Sequence, residues 1–437
     1  MGRMAKPSTP ASRLDAYLDR LCAAVGHADR RAPLRAYVTG LLLPGDRKSV
    51  EPMAAVVDPR HTSARHQSMH HFVARAPWDG DGVIAVARDV ALVALERHAP
   101  VAGWIIDDTS FPKKGDHSVG VARQYSGILG KTDNCQVAVT LSLANTTMSV
   151  PCAVRLYLPR PWAEDLPRRQ AAGVPDDVVF AEKWRIAIAQ IKRLLAEGLP
   201  RAPILADAGY GDATAFREAI AALGLSYAVG VQGQLTVWPP GKGPLPPKKK
   251  GAGRGRPPTR LRRDARHRPV SIEAFAQRLA PVQWQTVSWR EGTKGAMKSR
   301  FACARVRIAH RDANRKEPFP EEWLLMEWPE GVPAPTKFWL SSAPESVDLE
   351  DLARLVKLRW RIERDYEEMK GELGLDHYEG RSWPGFHHHT ALCVAAYAFL
   401  ATERARLSPP QALAFLRAPP CSATTRTVHR LSARFRC

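Results

Sequence analysis

Over the first hundred residues the apolar positions recur at helical spacing. Leu14, Tyr17, Leu18 and Leu21 share one face, and Asp81 to Arg97 is a long run rich in Ala, Val and Leu. Only short breaks such as Pro44-Gly45 and Pro77 interrupt it. Residues 1–98 therefore read as an N-terminal helical region. The texture changes at Val101. Trp104-Ile105-Ile106 is a short apolar run ending in Asp107-Asp108. Gln136 to Leu143 and Val150 to Leu158 alternate or are rich in β-branched residues, with an Asn145-Thr146-Thr147 turn between them. Ala181 to Glu197 reads as a helix, Pro203 to Ala206 as a buried strand closed by Asp207, and Phe216 to Leu223 as another helix. Strand-strand-strand-helix-strand-helix predicts an α/β domain with a mixed sheet over 99–225.

Residues 226–345 break that rhythm with β-like runs at Tyr227 to Val231, Trp284 to Trp289, Phe301 to Ala309, Trp323 to Trp328 and Phe338 to Leu340. They predict a mainly β insertion. Within it, 239–270 is a Pro/Gly-rich basic linker, where Lys248 to Arg268 carries ten Lys/Arg against one acid, Asp264. A helix is expected from about Leu349 to Lys370, with Leu352, Leu355, Ile362, Tyr366 and Met369 as its apolar stripe and Asp348 as its N-cap. A last apolar helix covers about Thr390 to Arg404 and completes a segment 346–407, before a basic tail over 408–437.

Charge narrows the function. Lys and Arg number 64 against 44 Asp and Glu, a net charge of +20, which calls for a polyanionic partner. The longest apolar stretch near the C-terminus, Ala391 to Ala401, is too short to cross a bilayer, and the N-terminus lacks a secretory apolar core. Nucleic acid is thus the expected partner, with no membrane and a cytoplasmic, nucleoid-associated location. The seven cysteines form no C-x-x-C pair, so no thiolate metal site is expected.

Three acids stand out. Asp108 ends one apolar strand with Asp107 beside it, Asp207 ends another, and Glu363 sits mid-helix in RWRIERDYEEMK. Acids next to buried strands cost desolvation energy unless a cation or donor compensates. Carboxylates gathered from separate segments make a hard oxygen site suited to Mg²⁺, or Mn²⁺, and two such ions can bracket a phosphodiester. Arg359, Glu363 and Lys370 fall near one helical face. Singly, each has a blander reading: a strand-end Asp as a turn or cap residue, an i,i+4 Arg-Glu as a solvated pair. The combination on this basic chain reverses that balance.

The stretches WIIDDTSFPKKGDHSVGVARQYSGILGKTDNCQVAV (104–138), ILADAGYGD (204–212) and RWRIERDYEEMKGELGLDHYEGRSWPGFHHH (359–389) resemble bacterial insertion-sequence transposases of the DDE class, in the branch around insertion sequence 701. The wider group carries a Tyr-Arg-Glu-Lys signature. Arg359, Glu363 and Lys370 match three of its members, whereas Val356 stands where the tyrosine belongs. The resemblance implies an RNase H-like catalytic domain and a metal-binding triad of Asp108, Asp207 and Glu363. On a strand Asp107 and Asp108 face opposite ways, and the sequence does not say which faces the site. The implied chemistry is endonucleolytic hydrolysis by a metal-activated water at a transposon end. Attack of the freed 3′-OH on target DNA follows, with a homodimer pairing two ends. A silent, transposase-derived DNA-binding protein and a nuclease that cuts without joining are the other two readings.

Other residues are weighed for DNA contact. Trp289 is a candidate for stacking on a flipped base, against packing within the β module. Arg254-Gly255-Arg256-Pro257 resembles a minor-groove hook core, against a linker that grips phosphates, as Lys248, Lys249 and Lys250 would. Lys113 and Lys114 would face substrate phosphates or lie on an exposed loop. His387-His388-His389 reads as the start of a helix with one buried histidine rather than a metal site. His61, His66, His70 and His71 read as a solvated helix face.

Overall fold

A computed structural model describes residues 9–248, 259–292 and 295–407. Among the described residues five α-helices come first: α1 (Pro10–Ala24), α2 (Arg31–Leu42), α3 (Val50–Val57), α4 (Thr62–Ala74) and α5 (Gly80–His98). Their starts follow from local chemistry. The Thr9 hydroxyl accepts from the Ser12 amide, and the Asp79 carboxylate accepts from the amides of Asp81 and Gly82.

Among the described residues twelve strands then form a single mixed sheet. β1 (Gly103–Pro112), β2 (Ala122–Ser126), β3 (Lys131–Ala144) and β4 (Ser149–Leu156) are antiparallel neighbours. The short helices α6 (Arg160–Ala163) and α7 (Leu166–Ala171) precede α8 (Lys183–Ala196) and β5 (Ile204–Ala206). α9 (Ala208–Gly211), α10 (Thr214–Ala222) and β6 (Tyr227–Val231) follow. β1, β5 and β6 run parallel.

The β-rich stretch is β7 (Thr236–Trp238), β8 (Val270–Ser271), α11 (Ile272–Ala276), β9 (Gln285–Gly292), β10 (Gly295–Ile308), β11 (Glu321–Trp328) and β12 (Lys337–Ser341). It continues the same sheet, because β12 pairs antiparallel with β6. The full order is β2-β3-β1-β5-β6-β12-β11-β10-β7-β8, with β4 also on β3 and β9 also on β10. The chain then forms α12 (Leu349–Lys357), α13 (Trp360–Gly371) and α14 (Trp383–Leu407).

One face of the central strands, carrying Ile105, Leu205 and Ala228, packs against Leu352, Val356 and Ile362 of α12 and α13. The other face, carrying Trp104, Ile106 and Ile204, belongs to the main core shared with α8, α14 and the N-terminal helices. Trp104 is fully buried and its indole donates to the Pro200 carbonyl at 2.9 Å.

Several expectations are corrected. β1 does not stop at its acids. It pairs with β3 from Gly103↔Ala144 to Pro112↔Cys135, so Asp107 and Asp108 lie mid-strand. The helix expected over 349–370 is two helices. Asp348 caps α12 as expected, its carboxylate accepting from the Asp351 amide at 2.7 Å. Leu358, between the two helices, is buried against the sheet in the cluster with Ile105 and Leu205. α14 begins at Trp383 rather than near Thr390, which places His387, His388 and His389 inside the helix with two of them buried. β2 carries no clear apolar alternation and was not expected.

Asn145 joins the layers. It is fully buried; its amide donates to the carbonyls of Leu95 and Ala99 at the end of α5 and accepts from the backbone of Thr147 and Met148. Asn145→Ala strands these groups and should cost about 2 kcal/mol, read as a lowered denaturation midpoint.

Candidate active site

The register between β1 and β5 fixes which acids meet. Ile105 pairs with Leu205 on parallel strands, and both point under α12 and α13. With a side-chain period of two, Asp107 and Asp207 come next on that same face. β5 ends at Ala206, directly before Asp207, while β1 continues past Asp107. Arg359, at the start of α13, reaches the acids. Its Nη1 lies 2.8 Å from Asp107 Oδ2 and its Nη2 2.6 Å from Glu363 Oε1.

The electrostatics are those of a crowded anionic pocket. Burial pushes the Asp107 carboxyl up to about 7, against the pull of Arg359, and the nearby charges of Asp207 and Asp108 add to the rise. Asp207 Oδ1 is buried with no hydrogen-bond partner. A buried carboxylate oxygen without a donor is where a cation would be stabilised. Glu363 remains largely exposed and turned onto Arg359. Among the described residues no three His, Cys, Asp or Glu side chains are gathered closely enough to hold a metal as they stand.

Asp108 has other partners. Lys183 Nζ is 2.6 Å from its Oδ2, and the Tyr210 hydroxyl donates to its Oδ1 at 2.5 Å. The structure thus brings Asp107, Asp207, Arg359 and Glu363 together and puts Asp108 on the opposite side of the strand. Lys370 Nζ donates to the Ser110 carbonyl at 2.8 Å, tying α13 to β1 just beyond the acids, and burial lowers its amine to about 8. Val356 is buried beneath α12. Lys183, Tyr210 and Tyr366 were missed from sequence. Tyr366 is held by the Thr140 hydroxyl and feels both Asp107 and Asp108. Tyr210, within ILADAGYGD, and Tyr366, within RWRIERDYEEMK, carried a signal, whereas Lys183 carried none.

The expected DNA contacts divide. Lys113 Nζ donates to the Tyr378 carbonyl at 2.7 Å, whereas Lys114 is exposed. Lys248 is exposed; Lys249, Lys250, Arg254 and Arg256 lie outside the described residues. Trp289 is half-buried, edge-on to Phe301 at 5.9 Å, with the Lys357 ammonium 4.4 Å from its ring centre. The histidine run is structural. Both ring nitrogens of His389 are used, Nδ1 against the Tyr37 hydroxyl at 2.9 Å and Nε2 against the Gly374 carbonyl at 3.0 Å. His388 meets the carbonyls of Val73 and Trp78. No helix among the described residues is long and apolar enough to cross a membrane.

Residues 20–296 match the family described as DDE superfamily endonuclease. The chain is also 32% identical over 187 residues to the "Probable transposase for insertion sequence element IS701" of Microchaete diplosiphon. The match covers 43% of this chain and 45% of that relative, so the chain spans under half of the relative's length.

Proposed function

Because the chain belongs to the DDE superfamily endonucleases, we propose that it is an insertion-sequence transposase. On this reading it cleaves double-stranded DNA at transposon ends and transfers the 3′-OH into target DNA. It works on bacterial nucleoid DNA as a homodimer that pairs two ends. The observation that carries the reading is the placement of Asp107 on β1 near Asp207, which directly follows the parallel neighbour β5, with Arg359 bridging Asp107 and Glu363. The order β4-β3-β1-β5-β6, antiparallel then parallel, supports an RNase H-like core.

Asp107, Asp207 and Glu363 would hold Mg²⁺ or Mn²⁺, and the orphaned Asp207 Oδ1 fits that role. Bound there, the metal would activate the attacking oxygen and stabilise the leaving one. Arg359 holds Asp107 and Glu363 at a fixed spacing and presents a cation to the substrate phosphate. Lys370 fixes the far end of α13 against β1. The protein contributes position and charge rather than a nucleophile. The resemblance alone would give the first ligand as Asp108. The register favours Asp107 and leaves Asp108 to position Lys183 and Tyr210.

The test is cleavage of a labelled duplex bearing the element's own end, in Mg²⁺ and in EDTA, followed by strand transfer from a pre-cut end. Metal-dependent nicking and joining are expected. Nicking without joining would make the protein a nuclease only. End-specific binding with no cleavage would make it a silent DNA-binding relative. In the same assay Asp107→Asn should lose at least about 100-fold, and Asp108→Asn should stay within about tenfold. The reverse ranking would return the ligand to Asp108.

A further inference from the structure

A cavity of about 800 Å³ lies between α3 and α4 on one side and the loop joining α13 to α14 on the other. Lys48, Arg75, Arg168 and Arg381 line it, together with four histidines contributed by α4, the segment after β1, and that loop. Only two acids face them, Glu51 and Glu379, and Glu379 is already paired with Arg47. Part of this wall is pre-arranged. The Arg168 guanidinium lies over the Trp162 ring, 3.7 Å from its centre, and donates to the Asp116 carbonyl at 2.5 Å. His66 and His70 sit one turn apart on α4 with ring centres at 6.0 Å. Arg75 and Arg381 are exposed at the rim. Such a wall suits a string of phosphates better than a small apolar ligand.

The cleft is coupled to the acids by β1. Lys113, at the far end of that strand, holds the Tyr378 carbonyl and so fixes the loop that forms one wall. From Asp107 to Lys113 the strand advances about 20 Å, at about 3.3 Å per residue. DNA covers that distance in about six base pairs at about 3.4 Å each.

We propose that this cleft grips the phosphodiester backbone of duplex DNA about six base pairs from the phosphate held at the acids. The inference rests on the transposase reading for its register, but the binding itself is measured separately. Duplex binding is followed by fluorescence anisotropy in EDTA, for wild type and for the Arg75→Glu/Arg381→Glu and Arg75→Gln/Arg381→Gln double variants. Melting curves check that both variants fold.

With a duplex reaching well past the cut, the charge-reversed variant should bind at least about tenfold more weakly. The slope of log affinity against log salt should become shallower by about two, roughly one unit for each phosphate that is no longer neutralised. The neutral variant should show the same slope change with a smaller drop in affinity. A duplex trimmed to about four base pairs beyond the cut should bind all three proteins equally. Unchanged affinity and slope on the long duplex would overturn the proposal, as would an equal weakening on the trimmed one. Single-stranded DNA bound as tightly as duplex would overturn the duplex assignment. Cleavage is scored separately in Mg²⁺. If wild type fails to cut while the variants lose salt-dependent binding, the cleft stands and the nuclease reading falls.

Discussion

Asp207→Asn should abolish metal-dependent DNA cleavage while leaving the fold intact. Asp207 Oδ1 is buried without a donor, and the neighbouring Asp107 carboxyl is pushed up to about 7, in part by the Asp207 charge. A carboxylate with one buried oxygen lacking a donor, beside a second carboxylate, is a cost to folding that the nearby Arg359 only partly offsets, so its replacement by an amide of the same shape should not lower the melting temperature. Cleavage should nevertheless fall by at least about 100-fold, since even groups that only support a metal ligand commonly contribute 10- to 100-fold. A second readout is independent of turnover. Mn²⁺ should raise the melting temperature of wild type, by preferential binding to the folded state, and leave that of Asp207→Asn unchanged. A variant that cuts at the wild-type rate, or keeps the full metal-induced shift, would sink the assignment.

The second large effect is on stability in acid. His389 is fully enclosed, with Nε2–H donating to the Gly374 carbonyl and Nδ1 accepting from the Tyr37 hydroxyl, and burial lowers its imidazole to about 4. A base held neutral in the folded state stabilises fully above its unfolded value of about 6.5 and loses that contribution as pH falls from there toward 4. At pH 5 the loss from His389 alone should be about 2 kcal/mol relative to neutral pH. Chemical denaturation at pH 7.5 and pH 5 measures it. His389→Gln should start from lower stability, through poorer packing, but decline less steeply toward pH 5. Parallel declines in both proteins would show that His389 does not carry the effect.

Much of this was legible in the sequence. The strand ending in Asp207 was, because a run of small and β-branched apolar residues bounded by Pro203 and an acid admits little else. The cap at Asp348 was readable for the same local reason. What stayed hidden depends on partners distant in the chain. Whether Asp107 or Asp108 shares the face of Ile105 and Leu205 is decided by the pairing of those two residues, about a hundred apart in sequence. The break between α12 and α13 has no Pro or Gly to announce it. At the break Leu358 is buried in the cluster with Ile105 and Leu205, partners that only the folded sheet supplies. The β-rich stretch gave its strands but not its attachment, because β12 joins β6 across all the strands between them in sequence.

That attachment also sets an order of assembly. The surface under α12 and α13 includes strands on both sides of the β6–β12 seam, and Arg359 and Glu363 arrive only with α13. During synthesis the two strand-borne acids leave the ribosome well over a hundred residues ahead of the third. Contacts so distant in sequence form late. A nascent chain, or one truncated before α13, therefore holds two carboxylates without the third or its bridging arginine. If the three acids act together as proposed, cleavage would begin only once nearly all of the described length has been made.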